Sequence, residues 1–196
     1  MIGLLPTGRA PGATTPSVSL FYSVRMDTVD ALKAKGLGAW KDAVVRICPA
    51  AESVVRRIDD WESLTFAGYY DVTMPRWHAD RVAFLGDAAH ATSPQLGQGC
   101  NLALVDAAAL ADAVDEYDDI DLALAAYSAR RRAHLDYYQF ATRWLTPFFQ
   151  SDLTPLGWLR DALMGTASKL PYVEREMVRS MVGTKTGYLF GDLHGF

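Results

Sequence analysis

A chain of 196 residues, half of them hydrophobic and 21% charged, carries enough apolar material for one sizeable core, which excludes a disordered protein. Its formal net charge of -4 gives no reason to expect a nucleic acid as partner short of a local basic patch, and no stretch approaches the roughly 20 apolar residues that span a bilayer. Cys48 and Cys100 match neither a CxxC redox pair nor a structural zinc spacing, and MIGLLPTGRAPG lacks the basic start and long apolar core of a secretory signal, so a cytoplasmic setting is expected.

In chain order, SVSLFYSVR at 17–25 puts Val18, Leu20, Tyr22 and Val24 on one face, the alternation of a half-buried strand, with residues 2–5 as its expected partner. The glycines and prolines of PTGRAPGATTP make the intervening segment a wide loop. From Thr28 to about Ile58 the period becomes helical, with Trp40, Val44 and Ile47 on one face and Pro49 dividing the run. LTFAGYYDVTM at 64–74 has strand character and ends at Pro75, while the short apolar run at 82–85 suits a strand covered on both faces.

Beyond Gly99 the sequence NLALVDAAALADAV reads as an alanine-rich helix able to lie close to whatever it covers. Asp121 is a candidate cap for LALAAYSARRRAHL, and Pro155 and Pro171 stand where first-turn prolines stand. Val173, Met177 and Met181 recur every four residues, and Gly183 follows as a C-cap.

The passage RVAFLGDAAHATSPQLGQGCN, 81–101, carries the chemistry. An apolar strand delivers Asp87 to a sheet edge, where open α/β folds bind ligands and a carboxylate can accept from a sugar diol. Ala88 and Ala89 remove bulk, and Gly97 and Gly99 permit backbone angles closed to other residues. The helix starting near Gly99 aims unpaired N–H groups and its positive end at the same place, which suits an anion. An isolated glycine pair would be read as loop shape alone; this pattern is longer.

GDAAHATSPQLGQGCNLALVDAAAL resembles the second flavin-binding signature of the class A FAD-dependent aromatic hydroxylases, the p-hydroxybenzoate hydroxylase-like monooxygenases. GDAAH, a proline, GQG-x-N and an Asp-Ala step in the helix all stand at matching spacing. GLLPTGR with VSLFYSVR looks like part of that family's substrate-domain sheet, and the tail from FFQSDLTPLGWL to MVGTKTG is similar to the C-terminal helices of some members.

The resemblance implies an α/β (mixed α+β) chain: part of a Rossmann-like FAD/NAD(P)-binding fold, part of an antiparallel substrate sheet, and C-terminal helices. Expected boundaries are 1–75 for the substrate-domain remnant, 76–120 for the C-terminal part of the FAD-binding domain and 121–196 for the helical segment. FAD is the implied cofactor and NAD(P)H the implied reductant, for hydroxylation by O2 of an aromatic, polyketide or quinone-type small molecule. Asp87 is implied to contact the flavin ribose, Pro94 to lie beside the isoalloxazine ring, and Gly99, Cys100 and Asn101 to face its pyrimidine edge. Gly86, Ala88 and Gly97 complete the implied cofactor-binding set.

The family's GxGxxG pyrophosphate loop and its middle DG motif are absent from these 196 residues. The chain is therefore expected to be a C-terminal half, with an N-terminal half on another polypeptide as a candidate partner. The alternative is a truncated homologue serving as a non-catalytic partner or scaffold without stable flavin binding.

His90 is read as holding the loop through hydrogen bonds; His78, His134 and His194 lack metal-ligand spacing, so no metal is expected. Cys100 could be a reactive thiol, but a small residue beneath a ligand is the commoner role. Arg130 to Arg132 could grip phosphate, though such runs usually form a solvated helix face. Trp144, Phe148, Phe149 and Trp158 could make a membrane-facing or substrate surface, with core packing among the terminal helices the expectation.

Overall fold

The computed structural model describes residues 1–151, 153–188 and 191, and the chain divides into two compact units, Met1–Gly68 and Tyr69–Phe196. The expected helices and antiparallel strands make a mixed α/β chain, in which the described strands pair only as two two-stranded antiparallel sheets.

In the first unit β1 (Ile2–Gly8) pairs with β2 (Ser17–Tyr22), Leu4 opposite Leu20, across the expected wide loop. Helices α1 (Val29–Ala34), α2 (Leu37–Ile47) and α3 (Glu52–Val55) follow, so the helical run breaks at Gly36 as well as at Pro49. Trp40, Val44, Ala51 and Val55 form the buried core, and Ile2, Leu4, Leu20 and Tyr22 close it from the sheet. Tyr22 meets Trp40 edge-on with ring centroids 5.9 Å apart. Val18 lies outside this core. Ile47 is 68% exposed rather than sharing the Trp40–Val44 face. It is the last residue of α2, and the Pro49–Ala51 turn brings Ala51 and Val55 to the buried side instead.

The strand expected at 64–74 does not form. Aromatic and β-branched residues favour a pleat only where a ladder partner exists, and Val72 finds other partners. Its N–H donates to the Ala91 carbonyl at 2.8 Å, and its carbonyl accepts from the Gln139 side chain at 2.7 Å.

In the second unit β3 (His78–Ala79) and β4 (Val82–Ala83) form a two-residue hairpin. β4 is not covered on both faces: with a single neighbour, its Val82 is 56% exposed. The short turn α4 (Asp87–His90) leads to α5 (Gly99–Glu116), and α6 (Ile120–Gln150) packs along α5. Leu102, Asp106, Ala109 and Ala113 recur every three or four residues on the buried face of α5, the helical period. The buried stripe of α6 includes Tyr127, Arg131, His134, Leu135 and Tyr138.

Proline opens α7 (Thr154–Ala167) and α8 (Pro171–Val182) as expected, and Gly183 ends α8 at φ +88°. Three expectations fail here. Asp119, not Asp121, caps α6, its carboxylate accepting from the Asp121 and Leu122 amides. Met177 and Met181 are exposed while Ser180 is the buried residue of α8, because that helix docks through hydrogen bonds rather than an apolar stripe. Trp144, Phe149 and Trp158 are exposed, Trp158 at 71%, since the core of this unit centres on α5 and the preceding part of α6. Among the described residues no helix is long and apolar enough to cross a membrane.

The α6 cap gives a direct check. Asp119→Ala should lower stability by about 1 kcal/mol, whereas Asp121→Ala should change it by only a few tenths. Urea midpoints measure both, and a larger loss for Asp121→Ala would refute the assigned cap.

Candidate functional site

Gly86 starts the site because its backbone stands at φ +58°, ψ -142°, a conformation that side-chain-bearing residues rarely adopt. A Cβ there would also meet the Ala103 Cβ at 3.1 Å. The buried Gly86 N–H donates to Asp106 Oδ2 at 2.8 Å, which fixes where α4 begins. Within α4, Ala89 and His90 turn inward while Asp87 and Ala88 face out.

The chain then passes through a turn at Pro94–Leu96 and reverses at Gly97, φ +63°, into the first turn of α5. Among the described residues no side chain caps the α5 N-terminus, and no acidic residue lies in its first turn. The early N–H groups of that helix have no intrahelical acceptor. Gly99 and Cys100 are exposed there, and Asn101 is half-buried. A Cβ added to Gly99 would lie 3.8 Å from Asp87 Oδ1. The fold therefore brings the Asp87 carboxylate and the positive end of α5 to one place, walled by small residues. Pro94 and Gly97 lie exposed in the connection between them.

What holds this surface is polar and buried. His90 Nε2 donates to Asp106 Oδ2 at 2.5 Å, so His90 braces the loop as expected. Arg131 Nε donates to Asp106 Oδ1 at 2.8 Å. A second guanidinium nitrogen of Arg131, Nη1, donates to His134 Nδ1. Because arginine only donates, Nδ1 must accept, leaving the His134 proton on Nε2, which donates to the Gly183 carbonyl at 2.8 Å.

Electrostatics follow this geometry. Burial pushes the Asp106 carboxyl up, but hydrogen bonds from His90, the Gly86 amide and Arg131 outweigh it and hold the group below the usual carboxylate range. Burial first, and then the Arg131 charge, push His134 down to about 4, so it stays neutral.

The sequence reading missed Asp106, Arg131 and His134 as a unit. Arg131 is fully buried, not part of a solvated face; Arg130 alone fits that picture, pairing with Glu116, and Arg132 lies over the Trp77 ring at 3.8 Å. The available signal was a lone aspartate inside an alanine-rich helix face, since a buried acid requires a donor. Cys100 is a free, exposed thiol. Among the described residues no group of three or more His, Cys, Asp or Glu side chains gathers as a metal site, and His194 lies outside them.

The sequence model of the FAD binding domain family matches residues 38–138. Kynurenine 3-monooxygenase of Xanthomonas oryzae pv. oryzae is 52% identical over 62 residues, 31% of this chain and 14% of that protein. A putative 2-heptyl-3-hydroxy-4(1H)-quinolone synthase of Rhodococcus erythropolis is 28% identical over 180 residues, 89% of this chain and 44% of that protein. The chain thus spans less than half the length of these curated relatives.

Among solved structures, pqsL of Pseudomonas aeruginosa, a probable FAD-dependent monooxygenase, superimposes with a TM-score of 0.59 at 23% identity, covering 76% of this chain and 48% of its own. HpxO of Klebsiella pneumoniae, complexed with FAD and uric acid, gives 0.58 at 22% identity, covering 83% and 40%. These likenesses share the fold.

The His134 environment has a pH consequence. A histidine depressed from 6.5 to about 4 leaves the unfolded chain with more bound protons between those values. Stability contributed by this site is therefore complete above pH 6.5 and is lost as pH falls toward 4, by about 3 kcal/mol at 1.36 kcal/mol per pH unit. His134→Gln, which cannot titrate, should flatten that slope in urea midpoints measured from pH 7 to 4.5. An unchanged slope would contradict the assignment.

Proposed function

Since this chain belongs to the FAD binding domain family of FAD-dependent monooxygenases, we propose that it forms the ribose-and-ring side of a flavin site in an enzyme that hydroxylates an aromatic or quinone-type small molecule. The observation that carries this reading is the meeting of Asp87 with the uncapped N-terminus of α5. FAD has both a diol-bearing ribose and an electron-rich pyrimidine edge, and the two halves of this surface suit those two chemistries.

The residues fit the group. Gly97, Gly99 and Ala88 leave the approach free of bulk, and no acid in the first turn of α5 competes for its N–H groups. Asp87 would accept from ribose hydroxyls, with Gly86 and Ala88 setting its position. Gly99, Cys100 and Asn101 would present backbone N–H groups to the pyrimidine edge, and Pro94 would border the ring and keep water from it. The positive end of α5 stabilises negative charge placed at its edge.

Bound FAD supplies the redox chemistry, in which electrons from NAD(P)H and one O2 give a hydroxylated product, NAD(P)+ and water. Kynurenine and a quinolone, named in the relatives, are both aromatic compounds, which supports an aromatic substrate. The pyrophosphate contacts are assigned to a GxGxxG unit beyond these 196 residues, with a partner polypeptide as one source. In this reading residues 1–75 are substrate-domain sheet, 76–120 flavin-binding and 121–196 supporting helices, in a cytoplasmic protein with Cys48 and Cys100 reduced.

Titration of the chain with FAD and with riboflavin, read by flavin fluorescence, tests this assignment. FAD should bind about tenfold or more tightly than riboflavin, which carries the ring but lacks the ribose assigned to Asp87. Asp87→Ala should weaken FAD by about 1–3 kcal/mol, the cost of leaving hydroxyls without their acceptor. No flavin binding by the wild-type chain, or an unchanged FAD affinity in Asp87→Ala, would sink it.

A further inference from the structure

The C-terminal end of α8 touches the start of α5. Gln98 Nε2 donates to the Met181 carbonyl at 2.7 Å, and Asn101 Nδ2 donates to Gln98 Oε1 at 2.9 Å. Gly183 follows in the left-handed conformation, so close that a Cβ would overlap Asn101 Nδ2 at 1.9 Å and Gln98 Oε1 at 2.6 Å. Only glycine satisfies both the φ and the space.

Helix α6 in turn grips this turn of α8 at successive points. His134 Nε2 donates to the Gly183 carbonyl at 2.8 Å, Tyr138 donates its hydroxyl to the Ser180 carbonyl at 3.0 Å, and Tyr137 hydrogen-bonds the Ser180 hydroxyl at 2.5 Å. His134 is itself held by Arg131, whose other contact is Asp106, the carboxylate that fixes Gly86. Both ends of the 86–101 segment are thereby tied to one buried chain of donors and acceptors. Gly86 is bound through Asp106, while Gln98 bonds the Met181 carbonyl beside Gly183 and Asn101 bonds Gln98.

We propose that the 181–183 turn is a clasp for the flavin site and that His134 is its positioning residue. Held in place by His134, the turn fixes the Gln98 and Asn101 side chains and so the direction of the N–H groups at the start of α5. Resting on the flavin reading above, the inference adds a requirement for α8 and for a neutral imidazole 49 residues from its carbonyl partner. His134 touches neither flavin nor substrate in this account; it acts through Gly183.

The test compares three variants of the full chain. His134→Leu removes the donor to Gly183. His134→Gln keeps an N–H for Gly183 and an oxygen for Arg131. Tyr138→Phe deletes one hydroxyl and guards against a His134→Leu protein that does not fold. In flavin-free protein, the NMR side-chain amide resonances of Gln98 and Asn101 should move toward free-amide positions in His134→Leu, move partway in Tyr138→Phe and stay in place in His134→Gln.

With flavin, His134→Leu should lose about tenfold in affinity and Tyr138→Phe about threefold, while His134→Gln stays within about twofold of wild type. The losses should be equal for FAD and riboflavin, because the clasp acts at the ring edge. Folded His134→Leu and Tyr138→Phe proteins with unmoved amide resonances, or with wild-type dissociation constants, would overturn the clasp. A wild-type chain with the clasp resonances in place but no affinity for either flavin would instead overturn the flavin reading.

Discussion

A carboxylate removed from water survives only if its lone pairs are met, and Asp106 is met from three directions: the Gly86 amide, the His90 ring and the Arg131 guanidinium. Removing one partner of a buried ion pair costs about 3–5 kcal/mol, so this centre tolerates little change. It determines which residues face outward. With Gly86 and His90 held to Asp106, α4 can only present Asp87 and Ala88 to solvent. The charge that stabilises the fold is internal, and the charge offered to a ligand is the neighbour of the glycine it anchors.

The same centre explains why a helix N-terminus can be left open. Helix ends normally satisfy their N–H groups with a capping side chain, yet α5 begins at Gln98 without one. The Gln98 side chain is turned away to Met181 instead, so the first turn keeps its donors for an external acceptor. Membership of the FAD binding domain family is consistent with a flavin as the acceptor proposed above. Packing of α5 on α6 through Ala109 and Ala113 supplies the rigid support on which such donors must be mounted.

The part of the site legible in the sequence was the part written in backbone requirements. Gly97, expected to need angles closed to other residues, stands at φ +63°, whereas Gly99, expected to do the same, is helical and Gly86 at φ +58° carries that requirement unannounced. The prolines of α7 and α8 and the Gly183 cap were readable for the same local reason. Contacts between distant residues were not. Arg131 looked like one cation in a solvated run because nothing local shows that Asp106, 25 residues earlier, faces it across two packed helices. LTFAGYYDVTM has strand composition, but composition cannot supply a neighbouring strand, and Val72 bonds to Ala91 and Gln139. Residue type alone suggests a core role for Trp144 and Trp158, whereas the apolar stripe of α6 is filled by Tyr127, Leu135 and Tyr138.

Amide shift mapping of the 15N-labelled chain during titration with FAD tests the central claim most directly. The account predicts that the largest changes fall on the amides of residues 86–101, with Gly99, Cys100 and Asn101 foremost. Saturation with FAD that leaves those amides unmoved, or that shifts only residues elsewhere, would contradict it.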